Sequence, residues 1–505
     1  MRKISFVSVF IVTFIIFVGN GRTEDLSSRV IRHQFKNGLV LLMVERHTSP
    51  TVSFHITYKA GSVNEIPGIT GIAHLYEHMA FKGTEKIGTK DYRAEKPILD
   101  ELDRVFIQLK SERARGEQEN PAKIAKLEEE MDRLEKKEAK FTIPNEMGEI
   151  YRSNGATGFN ASTGKDFTNY VVSLPSNRLP LWIAVESDRM THPVLREFYK
   201  EKQVVLEERR MRTENSPNGK LYEAMMRTAF WVHPYGLPVI GWTQDVQSLS
   251  RQQTEAFFKT YYGINNIVIS IVGDIRPEQV IQEMDNTFAK IPSRPLPPPV
   301  PFLEPVQEGE RRTHIEFEAN PLLFIGYHRP AYDHPDSMIF DIIDSLLSDG
   351  RTSRLYKHLV TQKQIAQDVN TDSATPGAKY PSLFFISAAP RSPHTLKELE
   401  AGIEEDLSLL KREPITAEEI QKLKNQFDGS LVRSLESNSG LAQQLSYYEA
   451  LTGDWKYLLK IRKRLESVQP EDIIRVAQKY FVDKNKVVAT LSKPSLDEKV
   501  QNDKP

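Results

Sequence analysis

Residues 71–84 read GIAHLYEHMAFKGT. In a helix, residues four apart lie about 40° from each other around the axis, and residues three apart about 60°. His74, Glu77 and His78 then share one face. Two neutral imidazoles on adjacent turns can hold one divalent metal. A carboxylate beside them can take a proton from water without occupying a ligand position. The order H-x-x-E-H is the inverse of the commoner zinc-protease motif. Residue frequencies predict only about 0.02 chance matches in a chain of this length. A single helical histidine is usually structural; this pair with its glutamate is a metal-binding pattern.

A catalytic zinc site uses three protein ligands and keeps one position open. The chain has no Cys, which excludes disulfides and thiolate ligands and leaves Asp, Glu or His as the third ligand. The segment YKEKQVVLEERRMRTENSP (199–217) offers candidates. Glu201 and Glu208, seven apart, lie within about 20° on one helical face. Val204 and Val205 back that face, and Glu207 points about 100° away. The spacing favours Glu208 as ligand and Glu201 as its partner a turn or two up. A solvated helix shows the same charged face, so spacing alone leaves the third ligand open.

The 505 residues exceed one ordinary core, so two or more domains are expected. A formal net charge of −1 gives no pull toward nucleic acid or an anionic membrane. The N-terminus has Arg2 and Lys3, then an apolar run from Ile4 to Val18. That run is short for a spanning helix and reads as a cleaved signal peptide over 1–21. Export to the periplasm is expected, with secretion or anchoring by an uncleaved signal as alternatives. No second long apolar run follows, so no stable membrane span is expected.

The stretch IPSRPLPPPVPFLEP (291–305) divides the chain, because proline supports neither a helix interior nor a central strand. The two sides repeat. KTYYGINNIVISIVG (259–273) matches QKYFVDKNKVVATLS (478–492) at an offset of 219. PTVSFHITYKAG (50–61) matches PLLFIGYHRPAY (321–332) at an offset of 271. The offset shrinks by 52, so the first half carries about that many extra residues between those points. They lie in the charged segment 94–140. Ile98, Leu99, Leu102, Val105, Phe106 and Leu109 form one helical stripe, and Ile124, Leu127, Met131 and Leu134 another. This reads as an inserted helical hairpin, a solvated surface excursion. The expected plan is α+β: two homologous half-domains, each an antiparallel-rich sheet packed with helices. They span 22–290 and 309–495, joined by a proline-rich linker (291–308) and followed by a polar tail (496–505).

GSVNEIPGITGIAHLYEHMAFKGT (61–84), GFNASTGKDFTNYVVSLP (158–175) and EKQVVLEERRMRTENSP (201–217) together resemble the pitrilysin/insulinase family of zinc metallopeptidases. They are most similar to bacterial members related to mitochondrial processing peptidase. HPYGLPVIGW (233–242) and GRTSRLYKHL (350–359) extend the likeness over nearly all the chain. The resemblance implies one Zn²⁺ per chain, held by His74, His78 and Glu208. It implies Glu77 as general base and Glu201 as an essential second acidic residue. Phe159, Asn160, Ala161, Ser162 and Thr163 would form the sheet edge along which an extended substrate lies. The implied activity is endopeptidase action on peptides or unfolded polypeptides inside a chamber. The implied partner is a second copy or a degenerate homologous subunit. The second half departs from the motif: FDIIDSLL (340–347) occupies the corresponding helix, so that half reads as non-catalytic. Val360 and Gln367 stand where some relatives place an Arg and a Tyr at the substrate. His233, before a proline in a turn, reads as structural.

Overall fold

The structure is a computed structural model and describes residues 26–494. The segments assigned to the signal peptide and the polar tail lie outside the described residues. Six strands form the first sheet: β1 (Ile31–Gln34), β2 (Val40–Glu45), β3 (Thr51–Tyr58), β4 (Thr157–Thr163), β5 (Thr168–Pro175) and β6 (Ile267–Gly273), in the order β1-β2-β6-β3-β5-β4. The second sheet has β7 (Arg311–Glu316), β8 (Leu322–Arg329), β9 (Ala366–Thr375), β10 (Ser382–Pro390) and β11 (Lys486–Ser492), in the order β7-β11-β8-β10-β9. The β2–β6 and β7–β11 pairs are parallel, and the other neighbours antiparallel. Apart from β1, the two sheets have the same pairing order. β3 and β8 start 271 positions apart, and β6 and β11 start 219 apart. These are the offsets of the sequence repeat.

Eight helices position the features that matter here: α1 (Ile72–Met79), α2 (Tyr92–Arg113), α3 (Pro121–Glu138), α4 (Phe198–Arg209), α5 (Pro217–Ala229), α6 (Ser337–Ser348), α7 (Ala417–Glu436) and α8 (Asn438–Thr452). Two of them cross between the halves. α8, from the second half, lays Leu441, Ala442 and Leu445 on Val40, Leu42, Val268 and Val272 of the first sheet. α5, from the first half, lays Leu221, Met225 and Met226 on Phe324, Leu383, Val487 and Leu491 of the second. Their caps match: the Ser216 side chain accepts from Gly219 N and the Ser437 side chain from Gly440 N, 221 positions on. The exchange explains why β6 is buried throughout. Ile267, Ile269 and Ile271 face the first half's own core, while Val268 and Val272 face the borrowed helix.

The hairpin is α2 and α3, but it is no solvated excursion. Leu99, Leu102, Val105, Phe106, Leu109, Met131 and Leu134 are buried, while Ile98 at the start of the first stripe and Ile124 and Leu127 at the far end of the second are half-exposed. α2 braces α4. The Phe106 and Tyr199 ring centroids lie 4.5 Å apart, and Tyr199 OH donates to Asp103 at 2.8 Å. Arg196 Nε meets Glu95 Oε1 at 2.9 Å, both side chains buried. A helix pair with one apolar stripe must cover it, and α4 is part of what covers it.

The proline-rich segment carries no helix or strand, yet it is docked. The Glu304 carboxylate accepts from the backbone N–H of Trp231, Val232 and His233 at 2.9–3.0 Å. Gln307 Nε2 donates to Lys486 O at 2.7 Å. Among the described residues, no helix is long and apolar enough to cross a membrane.

Candidate metal centre

α1 starts at Gly71, whose φ of 85° is left-handed, and a Cβ there would lie 2.6 Å from Ile240 O. The buried Glu65 carboxylate accepts from Gly71 N at 2.8 Å and Ala73 N at 2.9 Å. Two of the free N–H groups of the helix start are thus satisfied, while burial raises the Glu65 pKa to about 8. This fixes the rotation of the short helix and so the direction of its polar face.

On that face, His74 Nε2 lies 3.7 Å and His78 Nε2 lies 3.4 Å from Glu208 Oε2. One donor atom from each of the three residues lies within 4.8 Å of the others. Ligands about 2.0–2.1 Å from a tetrahedral zinc stand about 3.4 Å apart, so the spacing fits a small divalent metal. The electrostatics fit as well. Burial works to lower the His78 pKa, but hydrogen bonds to Glu201 and Glu208 raise it to about 9. That excess of negative charge around an imidazole calls for a cation. Burial, aided by His78, lowers His74 to about 4, which leaves a neutral ring. Among the described residues, its buried Nδ1 has no hydrogen-bond partner.

Glu201 meets His78 Nδ1 at 2.9 Å. An N–H on Nδ1 leaves the Nε2 lone pair free toward Glu208. Lys82 Nζ lies 2.6 Å from Glu201 and 3.2 Å from Glu197. Burial alone would raise the Glu201 pKa, but hydrogen bonds from His78 and Lys82 hold it at about 2. Glu208 is gripped from its other side by Arg212 Nη1, 2.7 Å from Oε1. Glu77 stands outside the ligand group, nearly buried, and its Oε2 accepts from Thr163 Oγ1 at 2.6 Å. Burial raises its pKa against the pull of that hydroxyl, which moves it toward the range useful to a base.

Glu207 turns outward and pairs with Arg210, as the helical spacing requires. Val205 is buried behind the face, but Val204 is 48% exposed and does not back it; a step of about 100° carries it off the buried side. β4, with Phe159, Asn160, Ala161, Ser162 and Thr163, is the edge of the first sheet. A cavity of about 620 Å³ adjoins the centre. His74, Thr163, Glu208 and Arg212 line its first-half side, and Phe324 and Phe385 its second-half side. His233 lies elsewhere: its Nδ1 accepts from Tyr235 N at 3.2 Å. Val360 is buried and Gln367 sits on edge strand β9; neither borders the cavity. In GRTSRLYKHL, Leu355 packs in the second core and Arg354 pairs with Glu419 at 2.8 Å.

Sequence reasoning passed over Lys82, Arg212 and the Thr163–Glu77 contact. Lys82 and Arg212 each stand four residues after a site residue, a spacing that could have flagged them. Thr163 lies 86 positions from Glu77, and no local pattern carries that.

The model of the insulinase family (peptidase family M16) matches residues 40–96 and 125–242, and that of the peptidase M16 inactive domain matches 248–427. The break at 97–124 falls within α2 and α3. The chain is 27% identical over 495 residues to the zinc protease PqqE of Helicobacter pylori, covering 95% of this chain and 96% of that one. It is 21% identical over 471 residues to a probable mitochondrial-processing peptidase subunit beta of Arabidopsis thaliana, covering 90% and 77% of the two. The crystal structure of a protease from Helicobacter pylori superposes with a TM-score of 0.77 at 26% identity, covering 92% of this chain and 99% of that one. The chain belongs to peptidase family M16, the pitrilysin/insulinase family.

Proposed function

We propose that this protein is a zinc-dependent endopeptidase that cleaves peptides or unfolded polypeptides held as an extended strand beside β4. The observation that carries this is the convergence of His74 Nε2, His78 Nε2 and Glu208 Oε2, with the Glu77 carboxylate beside them and outside the set. One Zn²⁺ on those three atoms would supply Lewis-acid polarisation of the scissile carbonyl and of a water. Glu77 takes the proton from the attacking water and later passes it to the leaving amine. Glu201 keeps His78 in the tautomer that presents Nε2. The unpaired edge of β4, through Phe159, Asn160, Ala161, Ser162 and Thr163, offers main-chain hydrogen bonds to a peptide with little demand on its side chains.

The test is incubation of the purified protein with a mixed peptide library, with and without a chelator, read by mass spectrometry alongside zinc analysis. Chelator-sensitive cleavage with one zinc per chain supports the assignment. Cleavage that survives metal removal overturns it. The apolar run from Ile4 to Val18 further supports export to the periplasm; N-terminal sequencing of exported protein that returned Met1 would contradict signal cleavage. Action as a homodimer or with a degenerate homologous subunit belongs to the same proposal, and light scattering of the active sample decides it.

A further inference from the structure

The β4–β5 hairpin does more than offer an edge. At the end of β4, beside the turn, Thr163 donates to Glu77 Oε2 at 2.6 Å. At its turn, three residues on, Asp166 is buried and spends its whole carboxylate on fixed partners. Oδ1 accepts from Tyr235 OH at 2.7 Å. Oδ2 accepts from the backbone N–H of Ala378 and Lys379, each at 3.1 Å. Those two amides belong to the β9–β10 turn of the second half. Tyr235 OH accepts in turn from Tyr380 N at 3.2 Å. The approach is close: a Cβ on Gly377 would lie 2.7 Å from both Asp166 Oδ2 and Tyr235 OH.

The turn is also tied to its own half, with Ser62 N donating to Gly164 O at 3.1 Å and Val63 N to Lys165 O at 2.9 Å. Those bonds locate the backbone. The Oδ2 contacts differ in kind, because they join the hairpin to the half without the metal motif. A carboxylate acting as base works only within a narrow range of positions, and a misplacement of about 1 Å can cost about 100-fold. Thr163 is the hydroxyl that constrains Glu77, and the hairpin sets where Thr163 stands.

We propose that the non-catalytic half sets the orientation of Glu77 through this hairpin: Asp166 locks the β4–β5 turn onto the β9–β10 turn, and Thr163 aims the carboxylate. Both are positioning residues. The inference rests on Glu77 acting as the proton acceptor.

The test uses the full-length, zinc-loaded protein. Thr163→Val should lower kcat by about 10- to 100-fold with KM within about threefold, while zinc per chain stays at the wild-type value. Thr163→Ser keeps the hydroxyl and should restore kcat to within about threefold of wild type. Asp166→Asn should lower kcat by a smaller factor, about 3- to 10-fold. It should also speed hydrogen–deuterium exchange of the amides in 157–168. Wild-type kcat in Thr163→Val, no recovery in Thr163→Ser, or unchanged exchange in Asp166→Asn would each overturn the proposal. The exchange measurement needs no turnover. If the wild-type protein shows no chelator-sensitive hydrolysis, the peptidase assignment fails, and exchange still decides whether Asp166 is a lock.

Discussion

The two halves share one plan and differ in what they hold at one place. In the first half, α1 and α4 bring His74, His78, Glu201 and Glu208 together. In the second, the corresponding elements carry other residues. Asp349 caps the end of α6, the helix that stands where α1 does. Lys422 and Gly429, on α7, stand 221 positions after Glu201 and Glu208. A cavity of about 660 Å³ lies there, lined by Asp349, Lys422 and Gly429 among others. A hydroxyl on the edge strand meets a helix carboxylate in both halves: Thr163 to Glu77 at 2.6 Å, and Ser373 to Asp341 at 2.6 Å. The fold therefore makes the hollow, and a few side chains decide whether it can hold a metal. Chemistry sits on the scaffold and is not required by it.

The comparison is broken most sharply at the proposed base and the proposed third ligand. Glu77→Gln should keep zinc and lose hydrolysis by about 10²- to 10⁴-fold or more, since general-base help alone is worth that much. Glu208→Gln should lose zinc and activity together. Elemental analysis beside peptide turnover separates the two. Zinc loss in Glu77→Gln would make that residue a ligand, and full zinc in Glu208→Gln would move the third-ligand role elsewhere.

Next in size is the brace that only the first half has. Arg196 and Glu95 are buried together, and Arg196 also donates to Thr84 O at 2.7 Å and Ile87 O at 2.9 Å. Glu95→Ala leaves the guanidinium buried without its charge partner, which typically costs about 3–5 kcal/mol. Urea unfolding of the metal-free variant measures it, and a loss below about 1 kcal/mol, the worth of an exposed pair, would return the hairpin to the role of a solvated appendage. The sequence displays this segment's two apolar stripes but not what they face. Periodicity reports that a face is buried, never against what. For the same reason H-x-x-E-H and the repeat offsets were legible, each being local or a plain displacement. The exchange of α5 and α8, the Asp166 lock and the Thr163 contact were not, because each joins residues far apart in the chain.

The exchanged helices offer a subtler contrast. Where α8 crosses β3, His55 Nδ1 meets Ser446 Oγ at 2.8 Å. The equivalent positions at the other seam, 271 positions after His55 and 221 before Ser446, are Gly326 and Met225, and a Cβ on Gly326 would lie 2.7 Å from Met225 Cε. One seam is polar and titratable; the other is apolar. Burial depresses His55 to about 4. Between that value and the ordinary histidine pKa of about 6.5 the unfolded chain takes up a proton that the folded chain refuses. The contribution is complete above about pH 6.5 and is lost as pH falls through about 4, with a limit of about 3 kcal/mol. Urea titrations across that window should show a shallower acid slope for His55→Gln than for wild type. Equal slopes would mean that the ring is protonated when folded.

The smallest effect is expected in the second hollow. Asp349 is exposed, with the cavity open beside it. Lys422 reaches Thr352 Oγ1, an exposed contact of the kind that contributes little. Neither touches the metal centre, and the hairpin lock runs through the β9–β10 turn instead. The double variant Asp349→Ala, Lys422→Ala should therefore keep zinc content, and its kcat and KM should stay within about twofold, as for surface substitutions worth less than about 0.5 kcal/mol. The outcome bears on how the halves divide their work. If KM rises several-fold while zinc and kcat hold, the second hollow takes part in gripping the substrate. The halves would then differ in which part of the reaction they serve, and the second would no longer count as scaffold alone. If nothing moves, the influence of the second half is confined to what it touches: the helix it lends to the first sheet, and the turn that holds Asp166.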